Sequence, residues 1–190
     1  MEKDFKEEKS LIVIKPDGIK RGLVGEIISR FEKAGLKIIG FKGLVIDEDM
    51  AFKHYGYGED WFEKVGKKVK TFYQQVGFDP GEDFNKLSEK EIGKLVQKWN
   101  VNYLTEGFVV AVILRGPNAV SVVKKITGAT YPSEALPGTI RGDFSLDSPI
   151  ESNFQKRSVR NLLHSSGSPE EAQTEIQLWF RENEIFDEGL

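Results

Sequence analysis

Among the residues able to carry chemistry, His164 stands apart. It closes the run Asn161-Leu162-Leu163 and precedes Ser165-Ser166-Gly167-Ser168, small residues that lead into a helix start. An imidazole so placed has an accessible face, hydroxyl donors beside it and the positive end of a helix dipole close by for an anion. Histidine is a competent covalent nucleophile once an acceptor holds its second nitrogen. Glu175, further along the following helix, can be that acceptor. The same segment reads equally well as a helix-leading histidine with a structural hydrogen bond. Lys15 ends an apolar run, Arg141 lies in PGTIRGDF, and Lys124 and Thr130 flank the end of a helix. A migrating phosphoryl group needs its charge neutralised by residues of this kind, although each, taken singly, also reads as a surface charge. His54, within Lys53-His54-Tyr55, reads as structural. The GxxxxGKS/T loop and a GxGxxG after a strand are both missing, so phosphates must be handled without either device.

Composition narrows the classes. With 190 residues, 39% hydrophobic, the chain is long enough for one well-buried core and short for two full domains. A net charge of −3 favours neither nucleic acid nor an anionic membrane, and no basic stripe marks a nucleic-acid surface. With no cysteine there is no disulfide scaffold or thiol nucleophile, and a reducing compartment fits. Two histidines exclude a histidine-rich metal site. The opening MEKDFKEEKS is charged, reads as a solvated tail and cannot be a signal-peptide core. Phe108 to Leu114 is too short to span a bilayer, so a soluble, cytoplasmic protein is expected.

The elements that must position these residues follow from periodicity. Ser10 to Lys15 reads as a buried strand stopped by the turn signal Pro16-Asp17-Gly18. Val24, Ile27, Ile28 and Phe31 form one helical stripe ended at Gly35, and Leu36 to Ile46 returns to strand. After a short helix around Ala51 to Tyr55, apolar residues from Trp61 to Val76 recur at helical spacing. A second helix opens on the capping box Ser88/Glu91, with Gly77 to Asp83 as the loop between. Phe108 to Leu114 is the clearest strand, followed by a helix from about Asn118 to Thr127 that ends at Gly128. Gly128 to Ser158 is mostly irregular, and so long a loop in a small domain implies a task. Val159 to His164 reads as strand, and Ser168-Pro169-Glu170-Glu171 combines an N-cap, a proline at N1 and a capping box. The order predicts an α+β fold: a ferredoxin-like βαββαβ antiparallel sheet of four strands with helices on one face. The helical pair is then an insertion between strands two and three, at about 58–105, within a single domain spanning 1–190.

Three blocks, IKPDGIKRGLVGEIISRFEKAGLKIIGFK, PGTIRGDF and NLLHSSGSPEEAQTEIQLWF, together resemble the nucleoside diphosphate kinase family from Ser10 to about Phe186. The resemblance implies a ping-pong exchange in which a nucleoside triphosphate, mainly ATP, phosphorylates His164 and a nucleoside diphosphate then takes the phosphate. It implies attack through Nδ1 with Glu175 on the other nitrogen, and Ser166 bonded to Glu175 or its loop. Lys15 and Asn161 would position phosphate and ribose, Arg141 and Thr130 would bind the β- and γ-phosphates beside Lys124, and Tyr55 would support the transferred group. Mg²⁺ would ride in on the nucleotide phosphates with no protein cage. A homo-oligomer is implied, first a hexamer built from dimers, with a tetramer or dimer as alternatives. Neither a membrane nor a specific nucleic acid is expected as a partner.

Several positions depart from the family pattern. Lys124 stands where arginine is common, turning a bidentate contact into a point charge. Gly167 stands where aspartate is frequent, and the loop after Phe144 is longer than in short members. The insertion falls where an aromatic usually stacks on the base; Trp61 or Phe62 would take that role, although both read more strongly as core residues of the inserted helix. A non-catalytic relative of the same fold is the alternative function, weighed down by the presence of His164, Glu175, Lys15 and Arg141 together.

Overall fold

A computed structural model describes residues 7–56 and 58–186. In chain order these form β1 (Glu7–Ile14), α1 (Pro16–Lys20), α2 (Val24–Lys33), β2 (Lys37–Leu44), α3 (Glu48–Tyr55), α4 (Glu59–Val76), α5 (Glu82–Asn85) and α6 (Glu89–Thr105). They continue as β3 (Val109–Pro117), α7 (Ala119–Thr127), α8 (Ile140–Phe144), α9 (Pro149–Phe154), β4 (Leu163–Ser165) and α10 (Pro169–Trp179). Single 3₁₀ turns lie at Pro132–Glu134 and Glu182–Glu184. The chain divides into two compact units, one of residues up to 45, 107–146 and from 161 onward, the other of 46–106 and 147–160.

The first unit is built on a four-stranded sheet in the order β2-β3-β1-β4, every neighbour antiparallel. This is the ferredoxin-like arrangement expected from the element order. β1 and β3 occupy the middle and are covered on both faces, so Leu11 to Ile14 and Val109 to Leu114 are buried without alternation. A central strand with two dry faces needs such a continuous apolar run. On one face Ile12, Ile14, Val110, Val112 and Leu114 pack with Ile27 and Phe31 of α2 and Val123 of α7. The closing helix packs on β1. Phe180 just beyond it and Ile113, which pairs with Leu11, both come close over Gly40 of β2, where an added Cβ would stand 3.2 and 2.8 Å from them. The helices therefore cover both faces, not the one face expected, because the residues on the second face of β1 and β3 are as apolar as those on the first.

Differences from the sequence reading are local. The expected solvated tail lies outside the described residues up to residue 6, but Glu7 to Lys9 already belong to β1, paired with Arg115 to Pro117. Pro16-Asp17-Gly18 is not a bare turn; it opens α1 with proline at N1, where its missing N–H costs nothing. The stretch 128–158 holds two short helices of five and six residues, too short to show a period. Their caps were legible nonetheless: Ser148-Pro149-Ile150-Glu151 repeats the pattern at Ser168, and the Ser148 hydroxyl accepts the Glu151 N–H. The expected strand Val159–His164 shortens to Leu163–Ser165, because Val159 to Leu162 turn away with Leu162 at φ 70°. The loop Gly77–Asp83 ends early, at the one-turn helix α5.

The second unit is helical. α4 and α6 pack so closely that a Cβ on Gly66 would lie 1.8 Å from the Glu89 carbonyl oxygen, and one on Gly93 would lie 2.2 Å from that of Phe62. Val69, Phe72, Tyr73, Ile92 and Leu104 are buried among them. The capping box expected at Ser88 and Glu91 is complete in both directions. The unit is broader than 58–105, since α3 and 147–160 belong to it. Asp147 takes both Nη atoms of Arg157 at 2.6 and 3.1 Å, and Ser158 donates to Asn100 at 2.6 Å. Among the described residues no helix is long and apolar enough to cross a membrane.

Candidate active site

His164 sits in β4, hydrogen-bonded in register with Val13 of β1, and only 14% of its side chain is exposed. Its Nε2 lies 2.6 Å from Oε1 of Glu175. The other oxygen of that carboxylate accepts from the Ser166 hydroxyl at 2.6 Å. Ser166 is fully buried and fixed by β1, whose Leu11 N–H donates to Oγ at 3.1 Å. The series His164, Glu175, Ser166, Leu11 thus ties the imidazole to a central strand. α10 supplies Glu175 because Ser168 caps it and Pro169 starts it, while Ala172, Ile176 and Trp179 turn inward as expected. Burial first, then the positive charges of Lys15, Arg141 and Lys124, hold the His164 imidazole well below the ordinary histidine range. A neutral ring at physiological pH keeps a lone pair available.

Lys15 follows β1 directly and is buried, its ammonium donating to Oδ1 of Asn161 at 2.9 Å. The Asn161 amide in turn donates to the Thr130 carbonyl at 3.0 Å. Arg141, at the start of α8, is also buried and donates to four main-chain carbonyls: Asn161, Gly128, Ala129 and Leu163, at 2.7–3.1 Å. This guanidinium therefore stitches the end of α7 to the segment leading into β4, while placing a positive charge near His164. Sequence reading missed the role of Pro16-Asp17-Gly18. The Asp17 carboxylate accepts the Leu162 N–H at 3.2 Å, and a Cβ on Gly18 would stand 3.2 Å from the Leu162 carbonyl. The motif holds the strained Leu162 and, through it, the approach to His164.

Lys124 and Thr130 are exposed, as suits groups that reach a solvent-borne ligand. Gly167 leaves a gap beside Lys124: its missing Cβ would lie 3.6 Å from the Lys124 ammonium and 2.4 Å from Oε2 of Glu171. The capping box expected at Ser168 is only half formed. Ser168 accepts the Glu171 N–H, but the Glu171 carboxylate accepts from Gly167 N–H at 3.0 Å and not from the N-cap residue. Glu171 was not singled out from sequence, where its capping position explained it fully. The remaining expected residues belong to the helical unit. Tyr55 ends α3, buried, edge-on to buried His54 at 4.7 Å. Trp61 and Phe62 are half-buried in α4, edge-on to each other at 5.7 Å, with the Lys94 ammonium 5.9 Å from the Phe62 ring.

Comparison with known proteins adds a family to this geometry. The family model described as nucleoside diphosphate kinase matches residues 8–76 and 80–185. A nucleoside diphosphate kinase of Pyrobaculum aerophilum is 44% identical over 180 residues, covering 95% of this chain and 98% of the relative. One from Borreliella burgdorferi is 35% identical, over 95% and 91%. The crystal structure of an NDP kinase from Pyrobaculum aerophilum superposes with a TM-score of 0.88 at 43% identity, covering 96% of this chain and all of that one. A Borrelia burgdorferi nucleoside-diphosphate kinase, solved as a transition-state mimic with bound vanadate and ADP, gives a TM-score of 0.77 at 33% identity, over 97% and 93%.

Proposed function

The chain belongs to the nucleoside diphosphate kinase family, and on that premise we propose that it moves the γ-phosphate of a nucleoside triphosphate, mainly ATP, to a nucleoside diphosphate through His164. The observation that carries this reading is the 2.6 Å contact between His164 Nε2 and Glu175 Oε1. A carboxylate there favours the tautomer with the proton on Nε2, which leaves the Nδ1 lone pair for attack. In the forward half-reaction that lone pair forms a bond to the γ-phosphorus. The bond from γ-phosphorus to the bridging oxygen breaks, and its electron pair stays on the departing diphosphate. The ring gains positive charge, which Glu175 offsets, and the second half-reaction reverses these steps with a different diphosphate.

Lys15, Lys124 and Thr130 are the groups we assign to the phosphates, with Asn161 orienting Lys15 and the ribose. Arg141 contributes charge and fixes the surrounding loops, since its donors are spent largely on carbonyls. Tyr55 supports the transferred group, and Trp61 or Phe62 stacks on the base. The donor set fits a Mg²⁺ that arrives on the nucleotide. The carboxylates beside His164 are engaged with Ser166, Gly167 and the ring itself, and the other charges there are cationic, so among the described residues around His164 no oxygen cage is offered. When bound, the metal neutralises phosphate oxygens, and the lysines hold it only by holding those phosphates.

We further read the two units as one domain of a cytoplasmic homo-oligomer, a hexamer first. β2 is an edge strand that exposes Phe41 by 52% and is followed by Val45 at 69%, an apolar margin suited to a second copy. Sedimentation tests the assembly. The reaction is tested by incubating the protein with γ-labelled ATP and Mg²⁺. Acid-labile phosphate should appear on the protein and be discharged by GDP, and His164→Gln should take no label. A His164→Gln variant that labels like the parent would overturn the mechanism, and a parent that takes no label would favour a nucleotide-binding relative without chemistry.

A further inference from the structure

We propose that Asp17 is a positioning residue for the reaction: its carboxylate, by taking the Leu162 N–H, clamps the strained turn that delivers His164 to the phosphate. This role rests on His164 being the nucleophile.

The residues just before His164 make an uncommon turn. Leu163 N–H donates to the Asn161 carbonyl at 2.8 Å, a bond between residues only two apart, and Leu162 between them has φ 70°. A three-residue turn with positive φ at its centre is the γ-turn of the rare, strained hand. Glycine would adopt that φ freely. It could not replace the Leu162 side chain, which is fully buried in the core cluster of Ile12, Ile14 and Ile27. The chain keeps this anchor and accepts the strain, so the surroundings must hold the turn in place. β4 is too short to do so alone, since it pairs with β1 only from Leu163 to Ser165.

Lys15-Pro16-Asp17 grips Leu162 from both sides. Lys15 N–H donates to its carbonyl at 2.8 Å, and the Asp17 carboxylate accepts its N–H at 3.2 Å. Gly18 lets α1 come this close, for a Cβ there would stand 3.2 Å from the same carbonyl. Arg141 braces the flanks, donating to the Asn161 and Leu163 carbonyls at 3.0 and 2.7 Å. Lys15 and Arg141 thus serve carbonyls, whereas Asp17 serves the N–H of the strained residue itself. Without that acceptor a donor on a fully buried residue is left unpaired, and the backbone must shift to find another. His164 is two residues on, so the shift reaches the imidazole. A displacement of about 1 Å at a reacting group can cost about a hundredfold in rate. Asp17 acts through the main chain.

Three variants separate this role from the ordinary help that an acidic residue gives the first turn of a helix. Asp17→Asn gives up the charge but keeps an oxygen for the Leu162 N–H. Asp17→Glu keeps the charge but carries its carboxylate one methylene too far, and Asp17→Ala has neither. Single-turnover labelling with γ-labelled ATP and Mg²⁺ gives the rate per labelled site, so misfolded protein does not count. Asp17→Asn should keep most of the parental rate. Asp17→Glu and Asp17→Ala should lose about ten- to a hundredfold, with the half-saturating ATP concentration changed little. Hydrogen exchange at the Leu162 amide should be slow in the parent and in Asp17→Asn, and fast in the other two. Should Asp17→Ala fail to fold, the Asn and Glu variants still decide. A parental rate in Asp17→Glu, or a loss in Asp17→Asn as large as in Asp17→Ala, would overturn the role given to Asp17. A parent that takes no label overturns the reaction and that role with it, whereas a labelled parent with unaltered variants overturns the role alone.

Discussion

Each of the two units is held together internally, and by a different kind of interaction. Around His164 the bonds join residues far apart in the chain: Lys15 to Asn161, Leu11 to Ser166, Asp17 to Leu162 and Arg141 to four separate carbonyls. Several of these groups are charged or polar and buried, which is costly unless every partner is in place. In the helical unit the dominant devices are local, namely the capping box at Ser88, apolar stripes and a close crossing at Gly66 and Gly93. A region arranged for chemistry keeps its charges by long-range bonds, whereas a region arranged for packing relies on shape. Substitutions in the first should therefore change rate more than stability, and in the second the reverse.

The largest expected effect tests the first half of that contrast. Glu175→Gln keeps the volume but lets an amide donate toward Nε2, so the wrong tautomer follows; kcat should fall by about 10²–10⁴ with thermal stability nearly unchanged. A comparable loss of melting temperature would blur the distinction. The second half is tested by Gly66→Ala, whose new atom meets the Glu89 carbonyl at 1.8 Å. It should cost about 1–3 kcal/mol or more by denaturant unfolding, with the phosphoryl transfer rate of the folded fraction retained.

A pH titration of stability comes next. His164 is held well below 6.5 by burial and three cations. Below about pH 6.5 the unfolded chain binds a proton that the folded chain refuses, so stability is present above that region and is lost as pH falls through it. The slope is at most about 1.4 kcal/mol per pH unit, and His164→Gln should remove it. An unchanged slope in that variant would show that the ring is not the buried group responsible. The smallest effect is Ser88→Ala, which removes the cap of α6 and should cost about 1 kcal/mol with kcat unaltered.

Much of this contrast was legible in the sequence, and unevenly so. Long apolar runs and stripes marked β1, β3, α2, α4, α6 and α7, because burial imposes a period on any element long enough to repeat it. The short helices α8 and α9 escaped, since five or six residues carry no period, although the Ser148 cap was there to be read. His164, Glu175 and Ser166 were named from residue type and resemblance, and they lie together. Glu171 was passed over because a capping box gave it a sufficient local explanation.

The sequence by itself determined the order of elements, the family and the histidine we propose as nucleophile, His164, since each of these is carried by contiguous residues. Only the tertiary structure decided that Arg141 spends its donors on carbonyls, that Asp17 holds Leu162, and that the Glu171 carboxylate turns to the Gly167 N–H. Each depends on which groups become neighbours in space, and a carboxylate or guanidinium takes the partners that burial leaves within reach. Local spacing does not encode that choice.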